Sequence, residues 1–226
     1  MPNLICFPHY TCGGLLCDIL SDTFSPLFAN TGNINLMPPG GINSIQHRMG
    51  KIGDTSTVML DYDADKFMQK VSLMDFKNDT WIGTHCWPGR LPLDNFNKIL
   101  IVTTTTFKSK IYRWARAHHH YFLPTWKNLS GIDLIDKSRE TAKNYLVPFE
   151  PVFNKPNVLN VEFADIVENT PEFYHAINHQ ESASHMARWK EVNYFLYAEN
   201  FWKSDVVNQF YQAELEINLG RYYRYN

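Results

Sequence analysis

The chain has 226 residues, with 21 Lys and Arg against 23 Asp and Glu and a formal net charge of −2. This length buries a substantial core without staples and excludes a small secreted disulfide scaffold, while the near-neutral charge excludes a strong basic field that would attract a nucleic acid polymer. No apolar run approaches the roughly 18 residues of a membrane-crossing helix.

Met1-Pro2-Asn3 leads straight into a strand, with no signal-peptide pattern, so a cytoplasmic protein is expected. The four cysteines, Cys6, Cys12, Cys17 and Cys86, match no zinc or iron–sulfur spacing, and neither a disulfide framework nor a metal site is expected from them. Aromatic residues make up 15% of the chain, enough to pack a large core or to line a pocket.

Asn3–Phe7 is a short apolar run that predicts a buried strand. Residues 8–14 are punctuation, and residues 15–20 open a helix. Residues 21–57, rich in Pro, Gly, Asn and Ser, predict a long irregular excursion. Thr57–Tyr62 reads as a strand, Asp63–Leu73 as a helix capped by Asp63, and Thr80–His85 as a second apolar strand stopped by Cys86-Trp87-Pro88-Gly89. Lys98–Thr103 is the clearest central strand. Ser109–Tyr121 follows as a helix with Ile111, Trp114, Ala115, His118 and Phe122 on one face. Val158–Phe163 is a further strand, and Thr170-Pro171-Glu172 starts a helix. Residues 183–216 read as largely helical, broken near Lys203-Ser204-Asp205.

Alternation of this kind predicts an α/β fold, a three-layer arrangement with a mostly parallel sheet flanked by helices. The whole chain, 1–226, is expected to form one such domain with a helical C-terminal part. Ligands of these sheets bind at the carboxyl ends of the strands. Segments 8–14, 84–90 and 103–113 are therefore the ones to inspect.

A strand that ends in a glycine-bearing loop and enters a helix offers backbone N–H groups and a helix dipole to an anion. Gly13 and Gly14 permit close backbone approach, and Tyr10 and Thr11 can add hydroxyls. The loop is neither a Walker A loop nor a dinucleotide G-x-G-x-x-G. An ordinary tight turn is the competing account. The segment F-P-H-Y-T-C-G-G-L at 7–15 resembles the 5′-phosphosulfate loop of cytosolic-type sulfotransferases, Y-P-K-S-G-T-T-W-L. Thr84-His85-Cys86-Trp87-Pro88 resembles their T-H-x-P segment. KILIVTTTTFKSKIYRW at 98–114 resembles their strand-to-helix segment for the 3′-phosphate, V-x-x-R-N-P-x-D-x-x-x-S. NVLNVEFADI at 157–166 resembles a later strand and turn.

The resemblance, spanning 3–165 in patches, implies a P-loop-like fold and 3′-phosphoadenosine 5′-phosphosulfate as donor, with no metal. The acceptor would be a small molecule, glycan or peptide carrying a hydroxyl or amine. It implies that His85 is the base and that His9, Tyr10, Thr11, Cys12, Gly13, Gly14 and Leu15 hold the 5′-phosphosulfate. His9 stands where that family has its lysine and is the second catalytic candidate. Thr104 stands where it has the 3′-phosphate arginine and Tyr112 where it has a serine, with Arg113 beside them as a substitute. Gly220-Arg221 is the only counterpart of its late R-K-G loop. These departures leave open a catalytically divergent anion- or nucleotide-binding protein of the same fold. A structural protein whose aromatic surface forms an oligomer interface is a further alternative.

His85-Cys86-x-x-x-Arg90 has three residues where a cysteine-phosphatase loop has five, so that cradle would not close. His118-His119-His120 on a helix point about 100° apart and cannot chelate one ion; a polar helix end is expected. Thr103–Thr106 either line a phosphate pocket or end a strand. Arg113 and Arg116, three apart, either share an anion or form a solvated face. The stripe Trp189, Asn193, Leu196 and Asn200 predicts packing, and Tyr222–Tyr225 an edge strand, a lid or a tail.

Overall fold

A computed structural model describes residues 1–11, 13, 16, 20, 63–73, 81–177, 189–190, 194–198 and 200–222. The strand read at 57–62 and the excursion at 21–57 lie outside the described residues, as do Cys12, Gly14, Leu15, Cys17, Asn193 and Tyr223–Tyr225. Helix α1 is Ala64–Ser72, α2 is Phe107–Ala117 and α3 is Gly131–Tyr145. Short helices α4 (Phe163–Glu168) and α5 (Pro171–Ile177) follow, and α6 is Asp205–Tyr222. Strands β1 (Asn3–Cys6), β2 (Trp81–Thr84), β3 (Ile99–Thr103) and β4 (Val158–Glu162) form a four-stranded parallel sheet in the order β2-β1-β3-β4.

The α/β expectation is met, and the parallel sheet explains the near-continuous apolar strands. Every residue of β1, β2 and β3 is buried. Side chains alternate between faces along a strand, so complete burial means that both faces are covered. β4 lies at the edge and is only partly buried. The Asn160 amide of β4 accepts from Val152 N–H and donates to Val152 C=O (3.0 and 2.8 Å).

The registers bring Cys6, Thr84, Thr103 and Glu162 to one edge of the sheet. From β1 the chain goes on to β2 on one side, and from the adjacent β3 it goes on to β4 on the other, so the direction of the connections reverses between β1 and β3. That is the switch point at which parallel sheets open a crevice beyond their carboxyl ends.

Helix α2 carries the predicted face: Ile111, Trp114, Ala115 and His118 are buried, and the Phe122 ring stacks on Trp126 at 4.7 Å. It begins at Thr106, whose hydroxyl accepts from Ser109 N–H at 3.2 Å. A π-helical turn, His118–Phe122, and a last α-turn, Leu123–Thr125, continue it. The N-cap side of α5 at Thr170 and the break before Asp205 fall where the sequence places them.

Three elements differ from expectation. Helix α3 was not foreseen: its buried positions are Ser138, Ala142 and Tyr145, while Ile132 and Ile135 face solvent, so it lacks an apolar period. It packs on α6, with Arg139 and Lys143 reaching Glu216 at 3.4 and 2.5 Å. Residues 194–197 and 201–203 are 3₁₀ turns, not a long helix; Trp189 and Leu196 are buried but Asn200 is exposed, so the mixed stripe is not one face. Gly220-Arg221 lies inside α6, and the late-loop correspondence is withdrawn.

Candidate functional site

The loop after β1 is built by its own residues. Phe7 N–H donates to Thr84 C=O at 3.0 Å, extending the sheet by one bond. Tyr10 then takes a left-handed conformation, φ 64°, which is unusual for a residue with a Cβ. The buried Thr11 hydroxyl donates to Pro8 C=O at 2.6 Å, so its proton closes the turn and does not face a ligand. Gly13, Leu16 and Leu20 are helical, so the loop does enter a helix. At Gly13, however, a Cβ would sit 2.2–2.3 Å from the Phe7 ring. The glycine is required by that ring, a packing reason that replaces the expected approach of a ligand.

His85 follows β2 at the same edge and is 8% exposed. Its Nδ1 lies 2.9 Å from Phe7 C=O. A carbonyl only accepts, so the neutral ring carries its proton on Nδ1 and its lone pair on Nε2. The His85 ring meets Phe7 edge-on at 4.5 Å and lies 4.0 Å from the His9 ring. Burial first, then the neighbouring His9 and Arg113 charges, pushes His85 down to about 4. His9 is lowered as well, by burial and then by Arg113. Both rings are therefore neutral at neutral pH.

Arg113, from the first turns of α2, donates from Nε to His9 C=O at 3.1 Å, and its guanidinium lies 4.9 Å from the centre of the Tyr145 ring. Burial lowers it to about 10, so it stays cationic. Tyr10 lies 6.3 Å from Tyr145 and 6.5 Å from Tyr121 between ring centres. One fixed cation, two imidazoles in tilted contact and three phenols thus converge beside the switch point.

Other predicted site residues do not join them. Thr104 is buried; its N–H donates to Phe149 C=O and its hydroxyl oxygen accepts from Phe149 N–H (3.2 and 3.0 Å). That pairing anchors Phe149, against which Trp87 packs at 4.8 Å. Tyr112 points away from Arg113, as adjacent helical positions must. Its hydroxyl donates to Glu168, which also binds Lys108 at 2.6 Å, and its ring lies against Trp202. Burial, then Glu168, raises Tyr112.

The Thr103–Thr106 run does hold an anion, but one from its own chain. Glu162, at the end of β4, accepts from the Thr103 hydroxyl at 2.9 Å, from Thr105 N–H at 3.0 Å and from the Thr105 hydroxyl. Its second oxygen accepts from Thr106 N–H and hydroxyl at 3.4 and 3.2 Å. Burial alone would raise this carboxyl; the hydroxyls of Ser109, Thr105 and Thr103 outweigh it and hold the group below the usual range. The cradle at the start of α2 is the place that the resemblance implies for a 3′-phosphate, and a carboxylate sits in it.

The histidine run is not a polar helix end. His118 is buried, with Nε2 3.2 Å from the Ser138 hydroxyl, and His119 stacks on Phe195 at 4.6 Å. Among the described residues no group of three His, Cys, Asp or Glu could hold a metal ion. Cys86 is buried beside His85. Arg113 and Arg116 do not share an exposed face, because Arg116 is buried. An apolar hollow of about 400 Å³, lined by Trp81, Lys98, Leu100 and Leu159, opens at the other end of the sheet, where the strands begin.

Sequence reasoning did not single out Glu162, Tyr121, Tyr145 or Glu168. For Glu162 a signal existed, an acid ending a predicted strand that would run parallel to one ending in four threonines. No family model, curated protein or solved structure matches the chain.

Proposed function

We propose that the chain binds an oxyanionic donor, a nucleoside phosphosulfate, at its first loop and moves the sulfuryl group to a hydroxyl or amine acceptor. The observation that carries this is the convergence of His9, His85 and Arg113 at the carboxyl edge of a parallel sheet, beside a strand–loop–helix. Arg113 changes its part in the scheme. Placed against the His9 carbonyl, it supplies beside the first loop the fixed cation that His9 does not provide.

In this proposal His85 Nε2 takes the acceptor proton, with Nδ1–H held by Phe7 C=O to fix the tautomer. An acceptor oxygen or nitrogen forms the new bond to sulfur. The bond from sulfur to the bridging phosphate oxygen breaks, and its electron pair stays on the phosphate. Arg113 and the N–H groups of the loop offset that charge. Tyr10, Tyr121 and Tyr145 flank the site as ring surfaces.

A second reading, an anion- or nucleotide-binding protein of this fold without turnover, is favoured by one observation: Glu162 fills the threonine cradle that a 3′-phosphate would need. Thermal shift with adenosine 3′,5′-bisphosphate tests binding. A clear upward shift that Arg113→Gln abolishes supports both readings, and no shift refutes both. His85→Asn then separates them, since an asparagine amide can still donate to Phe7 C=O. Retained binding with lost transfer of labelled sulfate to acceptors supports the enzyme.

A further inference from the structure

We infer that the His9–His85 pair takes up a proton when an oxyanion binds, so that the site is a receptor whose affinity rises as pH falls. The inference rests on the oxyanion-binding reading of the first loop and adds to it a mode of regulation.

The geometry carries it. The two imidazoles lie 4.0 Å apart between ring centres, at an interplanar angle of 34°. Two cations at that distance repel strongly, so the pair titrates as a unit and its first proton is the relevant one. The hydrogen bond from Nδ1 to Phe7 C=O need not break when the pair charges, because the incoming proton goes to His9 and leaves the Nε2 lone pair of His85 in place.

The surrounding groups leave the histidines as the titrating element. Arg113, from α2, remains a cation. Tyr10 from the loop, Tyr145 from α3 and Cys6 from β1 are all raised by burial. Among the described residues, Tyr121 from the π-turn and Cys86 beside His85 also stand around the pair. With no anion present, burial and Arg113 keep the pair neutral. A bound dianion reverses that balance: an opposite charge within about 4–6 Å raises a pKa by roughly 1–3 units.

Inorganic sulfate is the probe, because it stays a dianion from pH 6 to pH 8 and contributes no protons of its own. Titration calorimetry of the full chain in buffers of different ionisation enthalpy reads both affinity and protons taken up. A shift at the upper end of that range gives about three- to tenfold tighter binding at pH 6 than at pH 8, with fractional proton uptake near pH 6.5. The variant His9→Gln/His85→Asn is expected to bind sulfate with the same affinity at both pH values. Sulfate binding by the parent chain with less than about a twofold pH effect and no proton uptake overturns this inference and leaves the proposed function standing. Failure to bind sulfate at either pH overturns both.

Discussion

Replacing Gly13 with alanine sets two opposing terms against each other. In favour, alanine in a helix is worth about 0.5–1 kcal/mol over glycine. Against, the new methyl carbon would lie 2.2 Å from Phe7 Cδ1 and 2.3 Å from Cε1 and Cγ, where carbon atoms normally meet at about 3.5–4.0 Å. The Phe7 ring is only 5% exposed and is held edge-on against His85, so it cannot swing away without disturbing that ring. Overpacking of this kind costs about 1–3 kcal/mol, and so large an overlap belongs at the upper end. A net loss of about 2–2.5 kcal/mol is expected, measured by urea unfolding followed by tryptophan fluorescence. In a Phe7→Leu background the shorter side chain makes room, and Gly13→Ala should cost at least about 0.5 kcal/mol less. Gly13→Ala that is neutral or stabilising in the parent chain would refute the packing account and return the glycine to the ligand.

Thr104→Val removes the acceptor of a buried Phe149 N–H and should cost about 1–3 kcal/mol in unfolding, without weakening adenosine 3′,5′-bisphosphate binding. Glu162→Gln weakens a set of charge-assisted bonds and should cost about 1.5–3 kcal/mol at pH 7. The folded pKa of Glu162 is depressed, so its stabilisation is present above the unfolded value of about 4.3 and is lost as pH falls through the folded value. The Gln variant should therefore converge with the parent in acid, and a constant gap below pH 4 would contradict this. His85 and His118 are each pushed down to about 4 chiefly by burial, so the unfolded chain binds more protons than the folded one between about pH 6.5 and 4. Stability should fall with pH across that window by up to about 1.4 kcal/mol per unit for each ring. Unfolding midpoints of His118→Gln should show a shallower decline, and an unchanged slope would remove His118 from the account.

The strands at 3–6, 81–84 and 99–103 were legible because parallel pairing buries both faces and leaves a near-continuous apolar signature, while 158–162, at the edge, keeps a partly apolar one. Helix α2 was legible because a large apolar face repeats at helical spacing. Helix α3 was not, since its buried positions are small or hydroxylic and its isoleucines face outward. At the site, the order of segments along the chain brought His9 and His85 to notice together, because parallel strands deliver their C-terminal loops to one edge. Direction of side chains was beyond the sequence. Adjacent residues on α2 diverge, so Arg113 goes to His9 while Tyr112 goes to Glu168.

By itself, then, the sequence determined an α/β chain whose first loop ends a buried strand and enters a helix. The tertiary structure alone decided what that loop and its neighbours are occupied with. Gly13 makes room for Phe7, Thr11 closes the turn, Thr104 holds Phe149, and Glu162 takes the threonine cradle. The physical reason is that a buried polar group must find a partner. For Thr104 and Glu162 that partner lies tens of positions away along the chain, where a strand or turn read by itself does not record it.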